Sequence, residues 1–163
     1  MSWYFLDGQP ELPLKNSCEK ERPTIPSSAP KGILRIEKKE VIMAKLTDEA
    51  KKAIAEIRPS LVATASGTGK PNVSAKGSLR VLDDEHVAFA HIASPRTVAN
   101  IKENPQVAVI CLDAAARKGC RIWGQGSILD SGELFDRIAA EYAEKNMQVK
   151  NVVKVAVEEV ETF

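Results

Sequence analysis

From residue 60 onward the chain alternates short apolar runs with turn residues, and the period of each run assigns its element. "SLVATAS" (60–66) reads as a strand, closed by the Gly67-Thr68-Gly69-Lys70 turn and Pro71. "NVSAKGSLRVL" (72–82) predicts a second strand, turned by Asp83-Asp84 into "HVAFAHI" (86–92). A short helix beginning at Ser94 and stopping before Pro105 leads into "QVAVICL" (106–112), and "GCRIWGQGSILD" (119–130) is a further strand. Gly124 and Gly126 in that strand mark a bend or a close backbone approach. Two helical patterns flank the strands. "LTDEAKKAIAEI" (46–57) has Thr47 placed to cap it, acidic residues in its first turn, and Ala50, Ile54 and Ile57 on one face. "GELFDRIAAEYAEKN" (132–146) repeats Leu134, Ile138 and Tyr142 at helical spacing. The closing "NVVKVAVEEVETF" sets Val153, Val155 and Val157 against polar partners, a strand with one wet face.

Six strands joined mostly by hairpin-length links, with few helices, predict a mostly β (α+β) domain: an antiparallel sheet closed into a small barrel with flanking helices. A doubly wound parallel sheet would need more crossover helices than these links hold. Residues 1–43 follow another pattern. "GQPELPLKNSCEKERPTIPSSAPKG" contains five of the nine prolines and neither period. The segment is expected to be a disordered or loosely packed extension, with the folded domain spanning 44–163. "KKEVIM" can be encoded with a purine-rich ribosome-binding sequence just ahead of an ATG. On that reading translation is expected to start at Met43, and the upstream residues are leader.

Charge narrows the partners. Lys and Arg number 23 against 22 Asp and Glu, a net charge of +1, which argues against a nucleic-acid partner. No apolar run has the ~18 residues of a membrane span. The three cysteines are odd in number and lack metal-ligand spacing, so a reducing, cytoplasmic setting is expected, without a structural disulfide or a metal site. Cys111 reads as a small buried apolar residue, and Cys120 stands beside Arg121. His91 reads as a polar strand end, and Trp123 as a core or interface residue.

The candidate chemistry lies in "SPRT". A helix N-terminus presents unpaired N–H groups and a partial positive charge, so it accepts anions. Ser94 stands at the capping position and Pro95 at the first helical one, and capping alone would account for both. Arg96 is different, because a cation in the first turn opposes the helix dipole. An anion held there would explain it. Upstream, period-two alternation puts Ser74, Lys76 and Ser78 on one face, and for Ser74 a solvent-facing position is the simpler expectation. Gly77 beside Lys76 leaves room for a flat ligand against the backbone.

"KPNVSAKGSLRVLDDEHVAFAHIASPRTVANIKENPQVAVICLD", followed by "RIWGQGSI", resembles the FMN-binding split barrels related to pyridoxamine 5′-phosphate oxidase, over about residues 47–163. The resemblance implies a split β-barrel homodimer with each FMN in a groove between subunits. It implies that Arg96 and Thr97 hold the FMN phosphate. Lys76, Gly77 and Ser78 would run beside the isoalloxazine and ribityl chain, and Gln125 would approach the flavin edge. The last strand, "VAVEEVETF", lacks the Arg-x-His element of the oxidase proper, so the resemblance implies an FMN-binding relative: an electron-transfer protein or small oxidoreductase. Two alternatives remain at this point, an F420-dependent reductase of the same fold and a non-catalytic flavin-binding store. No catalytic acid or base is assigned.

Overall fold

The structure, a computed structural model, describes residues 44–163. The expectations for residues 1–43, including a start at Met43, fall outside the described residues. The order is α1 (Asp48–Glu56), β1 (Ser60–Ala65), β2 (Pro71–Lys76), β3 (Arg80–Val81), β4 (His86–His91), α2 (Pro95–Glu103), β5 (Gln106–Asp113), β6 (Lys118–Leu129), α3 (Glu133–Ala143) and β7 (Asn151–Thr162). Thr47 caps α1 by accepting the Ala50 N–H at 3.1 Å.

There are seven strands rather than six, because "NVSAKGSLRVL" breaks at Gly77–Leu79 into β2 and β3. That break shapes the molecule. All seven strands form one antiparallel sheet in the order β2-β1-β5-β6-β7-β4-β3, so β2 and β3 occupy opposite edges while only three residues separate them in the chain. Six inter-strand gaps of ~4.8 Å would put the edges of a flat sheet ~29 Å apart. The four Cα steps from Lys76 to Arg80 span at most ~14 Å. The sheet must therefore curl until its edges approach, and Gly77-Ser78-Leu79 is the corner joining them across the split. Ser78 pins this corner to β4: its hydroxyl accepts the Ala90 N–H at 2.9 Å and donates to the Ala90 carbonyl at 3.4 Å.

Inward side chains fill the curl. Val62, Leu79, Val87, Phe89, Val109, Ile122, Val153, Val155 and Val157 are fully buried, with α1 closing one end through Ala50 and Ile54. Burying a side chain such as Phe89 contributes about 2–3 kcal/mol. The expected wet face of β7 is only partly wet. Val152 is buried as well, because α3 lays Ile138 and Tyr142 over it together with Ala88 and Ala90. A bulge between Trp123 and Gly124 shifts the β6–β7 register, and a Cβ on Gly124 would overlap the Ala156 carbonyl oxygen. Only glycine permits that approach.

Candidate functional site

Two adjoining clefts meet at Ala93 and Ser94. The smaller, about 280 Å³, is lined by Asn72, Ser74, Ala93, Ser94, Pro95, Arg96 and Thr97. The larger, about 490 Å³, runs along Ala75-Lys76-Gly77-Ser78 and is closed by Arg58 and by Glu141, Tyr142, Lys145 and Met147.

The smaller cleft is built by packing α2 against β1 and β2. Pro95 opens α2, as its fixed φ and missing N–H favour. Ser94 stands at the N-cap position, yet its hydroxyl makes no cap hydrogen bond. It instead accepts from the Lys76 ammonium and lies 3.3 Å from His91 Nδ1. The capping explanation of Ser94 therefore fails, and the start of α2 has no side-chain cap. Thr97 points inward and is buried, its Oγ1 accepting from Asn72 Nδ2 at 3.2 Å and lying 3.0 Å from Ser74 Oγ. Asn72 and Asn100 also donate to Thr64 Oγ1, at 3.4 and 3.1 Å. Thr97 thus fixes Asn72 and Ser74, which line the cleft beside it. Ser74 is half-buried and lines this cleft, contrary to the solvent-facing expectation. Arg96 is exposed at the rim. No carboxylate lines this cleft, so its charge is that of Arg96 and the helix terminus.

Lys76 lines the larger cleft. It is 6% exposed, with its ammonium 5.3 Å from the centroid of the Phe89 ring. Its nitrogen donates to Ser94, and among the described residues no carboxylate pairs with it. Burial accordingly lowers its pKa. Burial, with the nearby charges of Lys76 and then Lys150, also lowers that of His91, so its imidazole is neutral at neutral pH. Its Nδ1 accepts the Ser94 N–H at 3.3 Å, so His91, buried at the end of β4, is the polar strand end expected and caps the loop that follows. Arg58 donates to the Gly77 carbonyl oxygen at 2.6 Å and holds the corner. On the far wall Arg80 and Lys145 bracket Glu141 at 2.5 and 3.1 Å, keeping its carboxylate at about 2, well below the ordinary range.

Of the residues predicted from sequence, Lys76, Gly77, Ser78, Arg96 and Thr97 converge on these clefts. Gln125 does not. It bonds Glu158 at 2.6 Å, and the register sets it on the opposite face of the sheet from Lys76. Asn72, Arg58 and the Ser94–His91 contact were missed. The sequence signal for Asn72 was its place in the same period-two series as Ser74 and Lys76. For the others there was none, since each contact is made by residues far apart or by a turn.

The face that carries Gln125 is mixed, with exposed apolar side chains beside the Arg121–Glu161 ion pair. Register aligns Leu61, Val73, Ile110 and Trp123 on it, and Leu61, Val73 and Leu112 are exposed by 44%, 62% and 48%.

Residues 46–163 match the sequence profile described as pyridoxamine 5′-phosphate oxidase. An uncharacterized protein of Methanocaldococcus jannaschii is 42% identical over 69 residues, 41% of this chain and 46% of that one, so the match spans about half the relative's length. Among solved structures, HupZ of Group A Streptococcus is similar with TM-score 0.66 and 27% identity, over 72% of this chain and 94% of that one. A putative pyridoxamine 5′-phosphate oxidase of Lactobacillus delbrueckii follows with TM-score 0.64 and 26% identity, over 72% and 93%. At the level of fold alone, the chain is like an FMN-binding protein of Syntrophomonas wolfei (23%, TM-score 0.64, over 70% and 83%) and an F420 reductase (19%, TM-score 0.56, over 71% and 98%). With the profile covering the whole curled sheet and all three helices but the first two residues described, the chain belongs to the pyridoxamine 5′-phosphate oxidase family.

Proposed function

We propose that this domain is a flavin-binding protein that takes FMN and serves in electron transfer or as a small oxidoreductase. One observation carries the reading. A cleft at the start of α2, lined by Arg96 and, among the described residues, by no carboxylate, adjoins at Ala93 and Ser94 a second cleft lined by the Lys76 ammonium, which no described carboxylate pairs. A buried unpaired charge is costly, and an anionic or electron-rich ligand offsets that cost. The residues thus suit a ligand with a phosphate at one end and a flat polar ring at the other.

In this reading Asn72, Ser74 and Arg96 hold the phosphate, with Thr97 positioning the first two. Gly77, having no side chain, leaves the backbone open to the ring, and nothing lies within 4 Å of where its Cβ would stand. Lys76 supplies positive charge and hydrogen bonds beside the ring. The bound flavin supplies the redox chemistry, and the protein supplies anchoring, orientation and charge.

The exposed Leu61, Val73 and Leu112 on this face support a homodimer, since neighbouring exposed apolar side chains mark an interaction surface. Gln125 lies on that face, so it reaches a flavin from a second copy of the chain. The likeness to an F420 reductase motivates the alternative ligand, a deazaflavin with the same phosphate and flat-ring chemistry.

The test is to denature the purified protein and identify the released ligand by chromatography and absorption, then titrate FMN and F420 into the stripped protein. Bound or titratable FMN is expected, with a dimer by sedimentation. Absence of interaction with either ligand at high micromolar concentration overturns the reading, and F420 binding without FMN binding selects the alternative.

A further inference from the structure

Cys111 on β5 and Cys120 on β6 are direct partners in the antiparallel register, and both are fully buried on the inner face beneath α1. The phase of the ladder fixes their spacing. Gly126 donates to the Pro105 carbonyl at 2.8 Å, and stepping by twos from Pro105↔Gly126 makes Cys111↔Cys120 a hydrogen-bonded pair. Such pairs have Cα atoms ~5.5 Å apart, at the favoured separation for a disulfide. Both sulfurs are free thiols in this structure.

Their surroundings make them unequal. Ser60 Oγ lies 3.2 Å from Cys111 Sγ, whereas Cys120 Sγ lies 3.8 Å from the Ala50 carbonyl oxygen. The Cys120 thiol and then the Ser60 hydroxyl draw the Cys111 pKa down, while Cys111 and burial push Cys120 up. Neither sulfur is exposed, and the groove beside this end of the sheet is lined by neighbours of the pair and not by the thiols themselves. That groove, about 590 Å³ between α1, the β5–β6 turn and Phe163, is lined by Gly119, the chain neighbour of Cys120, and by Ala53, one helical turn from Ala50.

We propose that Cys111 and Cys120 form a redox-active dithiol that hydrogen peroxide oxidises to a disulfide stapling β5 to β6. The Cys111 thiolate attacks one peroxide oxygen and the O–O bond breaks. The departing hydroxide takes up the proton that Cys111 gave up, leaving water and a sulfenic acid. Cys120 sulfur then attacks the sulfenic sulfur, the S–O bond breaks, and the hydroxyl leaves with the Cys120 proton as a second water. Two thiols are oxidised and one hydrogen peroxide is reduced. Cys111 is the attacking sulfur because its thiolate is the one its neighbours stabilise. This inference uses no flavin and stands or falls apart from the reading above.

The test uses the full chain carrying Cys18→Ser, which leaves only this pair. The folded protein is exposed to hydrogen peroxide, alkylated, digested and mapped by mass spectrometry without reductant. Expected is an intrachain Cys111–Cys120 link, two hydrogens lighter than the dithiol and reversed by reductant. With Cys120→Ser added, dimedone should label Cys111 as sulfenic acid. With Cys111→Ser added instead, Cys120 should label at least tenfold more slowly. Recovery of both thiols from folded protein after millimolar peroxide overturns the proposal. So does a link that forms only between chains or only in denaturant.

Discussion

Arg96→Ala separates a ligand-binding arginine from a structural one. Arg96 stands exposed in the first turn of α2, and no hydrogen bond or ion pair holds it among the described residues. A charge-assisted contact to a phosphate is worth ~1.5–3 kcal/mol, or about ten- to 150-fold in affinity. Solvent at the rim screens the contact, so the lower part of that range, about tenfold, is expected for FMN. Riboflavin has no phosphate and should lose less than about twofold. The apo protein should unfold within ~0.5 kcal/mol of wild type, and on the stable side, because the substitution removes a cation that opposes the helix dipole. Parallel fluorescence-quenching titrations of both ligands into both proteins at one salt concentration, with thermal unfolding of the apo forms, give all three quantities. Equal losses for FMN and riboflavin would refute the phosphate assignment. A destabilised apo protein with undiminished FMN affinity would do the same.

Lys76→Met should raise the apo protein's melting temperature while weakening FMN, since it removes a buried ammonium without a carboxylate partner. Burial lowers the Lys76 pKa below the ordinary 10.5. The wild type should therefore gain stability relative to Lys76→Met as pH rises from the lowered value toward 10.5, measured by urea unfolding across alkaline pH; a constant gap would contradict the assigned burial. Gly124→Ala should destabilise by about 2 kcal/mol or more, because its methyl meets the Ala156 carbonyl at the β6–β7 bulge; a wild-type midpoint in chemical denaturation would refute the close approach. Phe89→Ala should cost about 3–5 kcal/mol and also loosen Lys76, whose ammonium stacks on that ring, so FMN binding should fall even where the fold survives; retained affinity in the folded fraction would sever that link.

The sequence by itself determined the elements and pointed to several residues that line the candidate clefts. Period-two runs such as "HVAFAHI" and "QVAVICL" can bury one face only as strands, and they became β4 and β5. Thr47, Pro59, Pro95 and Pro105 bracket α1 and α2, because capping and the geometry of proline act within a few residues. Lys76 and Arg96 were legible for a similar reason: the signal was local, a glycine beside the first and, for the second, a cation in a helix's first turn. What depended on residues distant in the chain was decided only by the tertiary structure. The strand containing Gly77 split because its two halves must serve opposite edges of one curled sheet, a constraint absent from its own alternation. Ser94 gave up its local role as a cap for contacts with Lys76 and His91, 18 and three residues away. Ser74 became part of a buried hydroxyl network because α2 folded over it. Gln125 bonds Glu158 on the far face because sheet register, and not its neighbours Gly124 and Gly126, sets where its side chain goes. Local sequence encodes period and termini, whereas the faces that meet are chosen by closing the sheet around one core.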